Sequence, residues 1–154
     1  MAKKKTGARK TVGTKKAAAF EDLLVKQVME TKVQSARQKT KGDVIASLMI
    51  EGFGCVPVVD GAKKLIGVVS EHDLLGAMDD GHGLNTVTAI DVMTANPYSV
   101  RPETTLGTLV HVLRASDLVR VPVVDAKDRL VGIVARRDVL RTYVGGGKTA
   151  RRKK

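Results

Sequence analysis

The sequence predicts an α/β (α+β) protein made of two copies of one unit, each a small sheet with two helices. The first observation is an internal repeat: VPVVDGAKKLIGVVSEHDLL at 56–75 recurs without a gap as VPVVDAKDRLVGIVARRDVL at 121–140. Ten of the twenty positions are identical at this offset of 65 residues, and such self-similarity is the signature of a duplicated structural unit. The second observation is the order of apolar runs within each copy, which predicts strand, turn, strand and helix.

Each copy begins with the run VPVV, which is short, apolar and β-branched and therefore favours a buried strand over a helix. The polar residues at 61–64 and 126–129 form the predicted turns. A second β-branched strand then leads into a helix that begins at Ser70 in the first copy and at Ala135 in the second.

Ahead of the first copy, residues 17–29 are predicted to form a helix. Four of their apolar side chains fall at helical spacing on one face: Phe20, Leu23, Leu24 and Val28.

The next helix is predicted to begin with Asp43 as its N-cap, to run through Ile50, and to stop at Gly52 or Gly54. Its expected buried side chains are those of Val44, Ile45 and Leu48.

In the second copy, Thr104 or Thr105 takes the N-cap position. An amphipathic helix follows, because apolar residues recur at i, i+3, i+4 and i+7, namely Leu106, Leu109, Val110 and Leu113.

These elements divide the chain into two units. The first copy with its leading helix is predicted to form one domain over residues 17–78, and the second copy another over 87–144. A polar, glycine-rich linker occupies 79–86, and residues 1–16 and 145–154 are predicted to be disordered tails.

The formal net charge of +11 is concentrated in the two tails. They hold twelve cations and no acidic residue, so residues 17–144 carry 11 − 12 = −1. The cations are Lys3, Lys4, Lys5, Arg9, Lys10, Lys15, Lys16, Lys148, Arg151, Arg152, Lys153 and Lys154. Such tails either solubilise the chain or act as electrostatic arms for phosphate polyanions. Because no aromatic residue lies between the cations, they do not suggest base stacking or sequence-specific recognition.

Composition narrows the class of protein further. Cys55 is the one cysteine, so no internal disulfide can form, which fits a reducing compartment. No apolar run approaches the length of a membrane span, and no signal-peptide pattern opens the sequence. A cytoplasmic protein with no membrane contact is therefore expected.

The repeated pattern resembles the CBS domain, a small regulatory unit that occurs in tandem pairs also known as Bateman modules. The features that carry the resemblance are the run hPVVD, a turn, and LhGhhS/AxxDhL (h, hydrophobic), and they place it over roughly residues 26–144. The resemblance implies two CBS units packed about a pseudo-twofold axis. It also implies a homodimer formed through their helices.

In CBS pairs that bind adenosine ligands, the second strand ends in Gly-h-h-Ser/Thr-x-x-Asp, whose hydroxyl and carboxylate hold phosphate and ribose. The first copy matches this motif from Gly67 to Asp73, with Ser70 as the hydroxyl. A carboxylate can accept hydrogen bonds from both ribose hydroxyls, and a serine at a helix start lies beside free backbone N–H groups. The alternative is that Ser70 merely caps the helix and Asp73 stabilises its first turn.

The second copy keeps Asp138 but has Ala135 where the hydroxyl is expected. Arg136 and Arg137 at the helix start could donate to phosphate instead, or could simply be solvated.

The resemblance further implies composite sites, in which the motif of one unit faces the strands of the other. The favoured site then comprises Ser70, Asp73, Val68, Tyr98, Val100, Arg120, Val121 and Pro122. Arg120 suits a phosphate because guanidinium groups donate in pairs. The weaker site comprises Asp138, Ile133, Arg136, Val33, Val56 and Pro57, with Cys55 in the place of Arg120.

The sequence contains no residue pattern typical of a catalytic or metal-binding site. The three histidines lack metal-ligand spacing with one another or with Cys55, and no nucleophile is paired with a base. We therefore expect a stand-alone, non-enzymatic sensor that needs no cofactor and binds AMP, ADP, ATP or S-adenosylmethionine. Two alternatives stay open: a nucleic-acid- or ribosome-associated protein held by its tails, and a purely structural dimer.

Overall fold

The computed structural model describes residues 19–116 and 118–145, and it confirms the mixed helix and strand class. Within these ranges the helices are α1 (Gly42–Ile50), α2 (Glu71–Asp79), α3 (Ala89–Val92), α4 (Leu106–Ser116) and α5 (Arg136–Val144). The strands are β1 (Cys55–Val59), β2 (Leu65–Ser70), β3 (Thr94–Ala95), β4 (Arg120–Val124) and β5 (Leu130–Ala135). Both copies therefore contain the predicted strand, turn, strand and helix.

The chain folds into two compact units whose segments alternate along the sequence. We name the one formed by Thr31–Ser99 and Pro122–Ile133 the first unit. The second unit is formed by Val100–Val121 with the described parts of Met1–Glu30 and Val134–Lys154.

The first unit is built on a sheet of order β1-β2-β3 with antiparallel pairing, in which Val56 lies opposite Val69. Before β1, Ala36 adds one parallel bridge to Val58. An aliphatic core packs against this sheet and consists of Ala36, Ile45, Met49, Val56, Val58, Val69, Leu74 and Ala89.

The aspartate that ends each VPVVD run fixes the turn that follows it. Asp60 Oδ1 accepts hydrogen bonds from the backbone N–H groups of Ala62 (2.8 Å) and Lys64 (3.0 Å). Asp125 Oδ1 does the same for Lys127 (2.9 Å) and Arg129 (3.0 Å). An aspartate that holds its own backbone in this way favours a tight turn.

The two turns also pair with each other inside the first unit. Leu65 N–H donates to the carbonyl of Asp128, and Leu130 N–H donates to the carbonyl of Lys63, each at 3.0 Å.

In the second unit, α4 buries Leu106, Leu109 and Leu113, as its sequence pattern predicts, while Val110 is half-buried. Thr105 precedes the helix, and its Oγ1 accepts the backbone N–H of Thr108 at 3.3 Å. The structure thereby selects Thr105 from the two candidate caps.

The predicted helix over 17–29 is wrong for most of its described length. Helical geometry covers only residues 19–21, and a short 3-10 turn follows at Val25–Gln27. The backbone pairs instead with the segment before α4: Val25 N–H donates to the Thr104 carbonyl (2.8 Å) and Leu106 N–H to the Leu23 carbonyl (2.7 Å). Because these long-range hydrogen bonds replace helical ones, Val25 rather than Val28 becomes fully buried.

The predicted start of α1 needs a smaller correction. Lys41 is the N-cap, and Asp43 lies inside the first turn, where its carboxylate accepts the N–H of Val44. The helix begins earlier because Gly42 N–H donates to the Val87 carbonyl at 2.9 Å. The buried face is consequently rotated, so Met49 is buried and Val44 is 51% exposed.

The helix after the second strand begins at the same junction in both copies. Ser70 N–H donates to Asp73 Oδ2 at 2.8 Å, and Ala135 N–H donates to Asp138 Oδ2 at 2.9 Å. In the first copy alone, the serine hydroxyl also accepts the N–H of Asp73, at 3.2 Å. The backbone angles of the two N-caps are similar (φ −105°, ψ 167° against φ −111°, ψ 158°), so Ala135 occupies a geometry that suits serine.

The Asp125 turn predicts a loss of stability in acid. Hydrogen bonds from the backbone N–H of Arg129, and then of Lys127, hold the pKa of Asp125 below its ordinary value of 3.8. A lowered pKa in the folded state means that the ionised carboxylate stabilises the fold above 3.8 and ceases to do so as the pH falls through the folded value. Asp125→Asn keeps an acceptor oxygen but removes the charge. Urea unfolding between about pH 5 and pH 2 should therefore show a shallower loss of stability in Asp125→Asn than in the wild type.

The control for this measurement is Asp22→Asn, since Asp22 is exposed and has no hydrogen-bond partner among the described residues. It should keep the wild-type slope. If Asp125→Asn also keeps that slope, the turn does not depend on the charge of Asp125.

Exchanging serine and alanine at the two helix starts should change the free energy of unfolding in opposite directions. Ser70→Ala should lower the free energy of unfolding by about 1 kcal/mol, because the Asp73 N–H loses its acceptor, and Ala135→Ser should raise it by up to about 1 kcal/mol. Urea titration of the full chain measures both. Ser47→Ala, in the middle of α1 and not at a cap, serves as the control and should stay within about 0.5 kcal/mol of the wild type. Equal stability of the wild type and both cap variants would show that the hydroxyl does not cap.

Candidate ligand-binding site

Asp73 presents one carboxylate oxygen that is already used and one that is not. Its Oδ2 accepts the N–H of Ser70, whereas Oδ1 has no hydrogen-bond partner among the described residues. The side chain is half-buried at the junction of β2 and α2. The bond to Oδ2 therefore fixes the carboxylate and leaves Oδ1 available to a donor from outside the chain.

Ser70 is also only partly engaged. Its Oγ accepts the N–H of Asp73 at 3.2 Å, and within the described ranges the hydroxyl proton is donated to no acceptor. Ser70 can thus donate to an anionic oxygen while it still caps the helix.

A groove of about 590 Å³ lies beside Asp73 in the first unit. It runs along α2 past Gly76 and Asp80 and is closed by residues of the following loop and α3, including His82 and Asp91. The groove is open beside Gly76, since a Cβ placed there would meet nothing within 4 Å. A groove with three carboxylates and no lysine or arginine in its lining favours a hydrogen-bond donor, such as a hydroxyl, over a phosphate.

Asp91 in this groove has a structural role. Its Oδ2 accepts hydrogen bonds from the N–H (2.8 Å) and the hydroxyl (2.9 Å) of Thr88. These two bonds, with smaller contributions from the charges of Lys41 and His82, hold the pKa of Asp91 below its ordinary value. Asp91 is therefore ionised at neutral pH and is already committed to the start of α3.

The aspartate of the second motif, Asp138 in the second unit, differs from Asp73 in what its carboxylate contacts. Asp138 Oδ2 accepts the N–H of Ala135 at 2.9 Å, and Oδ1 is 3.4 Å from Nη1 of Arg141. Both oxygens are thus engaged within the chain, and Ala135 supplies no hydroxyl.

Arg136, a candidate phosphate donor in the second copy, is held by the loop before β4. Its Nε donates to the carbonyl of Leu118, and its backbone N–H donates to the carbonyl of Val119 at 3.0 Å. The guanidinium is therefore hydrogen-bonded to the chain through Nε, although the residue is exposed.

The residues of the two predicted ligand sites are divided between the two units. The first unit contains Ser70, Asp73, Val68, Tyr98, Pro122, Ile133, Val33, Val56 and Pro57, and the second contains Val100, Arg120, Val121, Arg136 and Asp138. Val56 and Val121 expose no surface, and Tyr98 is 63% exposed. Arg120 opens β4, is half-buried, and its guanidinium has no acceptor among the described residues. The two composite ligand sets stay predictions.

Within residues 19–116 and 118–145, no group of three or more His, Cys, Asp or Glu side chains is arranged to hold a metal ion. Over the same ranges, no helix is both long and apolar enough to span a membrane. The basic tails, for which solubilisation and binding to nucleic acid or ribosomes were left open as alternatives, lie outside the described residues, apart from Gly145 at the start of the second tail. Their function stays a prediction.

Sequence reasoning did not identify the pairing of Arg141 with Asp138. The signal was present in the repeat, since Arg141 aligns with Gly76 at the same offset of 65 residues. What the alignment could not show is that this arginine turns back onto the carboxylate rather than into solvent.

The CBS domain family model matches this chain twice, over residues 25–80 and 89–145. Among curated proteins, the uncharacterized protein MJ0188 of Methanocaldococcus jannaschii is 31% identical over 121 residues, covering 78% of this chain and 44% of that protein. Arabinose 5-phosphate isomerase KdsD of Pseudomonas aeruginosa is 34% identical over 94 residues, covering 61% of this chain and 29% of that protein. The chain thus spans less than half the length of these two relatives. A CBS domain-containing protein of Dictyostelium discoideum is 28% identical, with 77% of this chain and 89% of that protein covered.

Two solved structures of similar size carry adenosine compounds. CBSX2 in complex with AMP, a CBS-pair protein from Arabidopsis thaliana, is 31% identical with a TM-score of 0.71, covering 79% of this chain and 96% of that one. The CBS domain pair of MJ0100, in complex with 5′-methylthioadenosine and S-adenosyl-L-methionine, is 26% identical with a TM-score of 0.71, covering 80% of this chain and 97% of that one. With both repeats matched by the family model, the chain belongs to the CBS domain family and contains two CBS domains in tandem.

Proposed function

We propose that this chain is a non-catalytic regulatory sensor that binds an adenosine ligand, AMP, ADP, ATP or S-adenosylmethionine, at the Ser70–Asp73 motif of its first CBS domain. The observation that carries the proposal is the unpartnered Oδ1 of Asp73 beside an open groove. The oxygen is held in place by the bond to Oδ2, so binding a donor there requires little reorganisation.

The ligands of the two structural neighbours support the same class of compound. AMP, 5′-methylthioadenosine and S-adenosylmethionine differ in their 5′ substituent and share adenine and a ribose with two free hydroxyls. A carboxylate is the acceptor that this shared diol requires, and hydrogen bonds to a charged group are among the stronger ones in proteins. Asp73 therefore recognises the common part of the ligand, and the Ser70 hydroxyl is available for the variable part.

A sensor also needs a response to its ligand. Binding changes the state of a protein only to the extent that the ligand prefers one of two states. Because Ser70 and Asp73 form the start of α2, a ligand that engages them acts on the same hydrogen bonds that fix the helix to β2. The strand–helix junction is the element through which we expect binding to be transmitted.

The proposed site predicts a specific loss of binding in Asp73→Asn. This change keeps the shape of the side chain and one acceptor oxygen but removes the charge and half of the acceptor capacity. Loss of charge-assisted hydrogen bonds of about 1.5–3 kcal/mol corresponds to roughly 10- to 100-fold weaker binding. Calorimetric titration of the full chain with AMP, ADP, ATP and S-adenosylmethionine measures this change.

The matched control is Asp79→Asn, which removes the same charge from the exposed end of the same helix. It should bind as the wild type does. If no adenosine compound binds the wild type, or if Asp73→Asn binds as tightly as Asp79→Asn, then Asp73 serves only as a helix cap and the proposed function is wrong.

The second part of the proposal is a homodimer formed through the helices that follow β2 and β5. On α2, Leu75 and Met78 are 60% and 54% exposed, and the repeat-equivalent residues of α5, Leu140 and Tyr143, are 65% and 43% exposed. Large apolar side chains exposed at the same two positions of both copies mark an interaction surface. A second copy of the chain presents the same two pairs, and this self-complementarity favours a symmetric dimer.

The dimer predicts that a charge on either pair dissociates the chains. Leu75→Glu and Leu140→Glu should each shift the sedimentation coefficient from that of two chains to that of one, because a buried unpaired carboxylate is unfavourable. Ala115→Glu places the same side chain at an exposed position of α4 and should leave the dimer intact. A wild-type chain that sediments as a monomer at micromolar concentration contradicts this part of the proposal.

A further inference from the structure

The two copies of the ligand motif have nearly the same backbone. In each, a carboxylate oxygen accepts the N–H of the last strand residue, at 2.8 Å for Asp73 and 2.9 Å for Asp138. Both helices run for nine residues from equivalent N-caps. The two helix starts therefore differ in their side chains and hardly in their backbone.

The two copies differ in the side chain that lies three residues after the motif aspartate. The position is Gly76 in the first copy and Arg141 in the second. Arg141 Nη1 lies 3.4 Å from Asp138 Oδ1, in an ion pair whose side chains are 34% and 19% exposed. It thereby engages the carboxylate oxygen that Asp73 leaves free.

The equivalent position of the first copy has open space around it. A Cβ on Gly76 would meet nothing within 4 Å, and Gly76 lines the groove beside Asp73. An arginine introduced here meets no obstacle at its Cβ, and it would lie three residues after Asp73, as Arg141 lies three residues after Asp138. The glycine is thus not required by packing, since neither its space nor a positive φ demands it.

An arginine paired with the carboxylate interferes with the binding of a ribose in two ways. Its guanidinium donates to the oxygen that the ribose hydroxyls need, and its side chain occupies the volume next to that oxygen. A ligand must first break the ion pair, whereas at Asp73 it meets an acceptor that is already free.

We propose that the residue three positions after the motif aspartate decides which CBS domain of this chain binds ligand. Arg141 closes the second motif by occupying Asp138, and Gly76 leaves the first motif open. This inference rests on the proposed function, because it concerns the choice between two copies of the same adenosine motif.

Reciprocal substitutions in the full chain test the inference by calorimetry with AMP and with S-adenosylmethionine. Gly76→Arg should weaken binding at least about tenfold, which is the effect of losing one strong interaction. Asp79→Arg is its control: it places an arginine at the exposed end of the same helix, outside the lining of the groove, and should bind as the wild type does.

The converse change should open the second motif. Arg141→Ala combined with Ala135→Ser frees Asp138 Oδ1 and restores the missing hydroxyl, so a second saturable binding event per chain should appear. Ala135→Ser alone restores the hydroxyl but leaves Asp138 paired with Arg141, so it should add no second event. Thermal unfolding of each variant verifies that the chain is folded during the titration.

The outcomes separate this inference from the proposed function. If the wild type binds neither compound, the proposed function fails and the inference with it. If the wild type binds but Gly76→Arg binds equally well, or freeing Asp138 adds no second event, only the inference is overturned. Weaker binding in Gly76→Arg together with a new event in the Arg141 variant supports it.

Discussion

The hydrogen bond from the last residue of a strand to a carboxylate three residues later is the interaction on which the candidate site depends. It joins Ser70 N–H to Asp73 in the first copy and Ala135 N–H to Asp138 in the second. One oxygen of each carboxylate thereby begins a helix and fixes the orientation of the other oxygen. The structural and the ligand-binding interpretations of the motif are therefore compatible, because they use different oxygens of one side chain.

Duplication followed by divergence explains how one fold can hold one motif whose aspartate is paired with an arginine, Arg141, and one whose aspartate faces a glycine position, Gly76. The turn aspartates Asp60 and Asp125 and the paired strands keep the two backbones alike. Substitutions at the helix start then act locally, since Ser70 aligns with Ala135 and Gly76 with Arg141. The groove beside Asp73 has no lysine or arginine in its lining, which fits recognition of ribose rather than of phosphate.

Much of the fold could be predicted from the sequence because its elements are local and occur twice. The VPVV strands, the helix α4 and the capped starts of the last helix in each copy follow from patterns of a few residues. The helix over 17–29 was predicted wrongly, because backbone hydrogen bonds to residues about 80 positions away decide that segment. The prediction that Asp43 caps α1 was wrong for a similar reason. The hydrogen bond from Gly42 N–H to the Val87 carbonyl moves the start of the helix to Gly42. Within the site, the motif residues could be identified from the sequence, but the pairing of Arg141 with Asp138 is seen only in the structure.

The central claim is that Asp73, and not Asp138, holds the ribose of an adenosine ligand. The most direct measurement is a crystal structure of the full chain grown with AMP or S-adenosylmethionine. We predict ribose hydroxyl oxygens at about 2.5–3.0 Å from Asp73 Oδ1, with Ser70 still capping α2 and Arg141 still paired with Asp138. Ligand bound at Asp138 while the Asp73 motif remains empty would contradict the account.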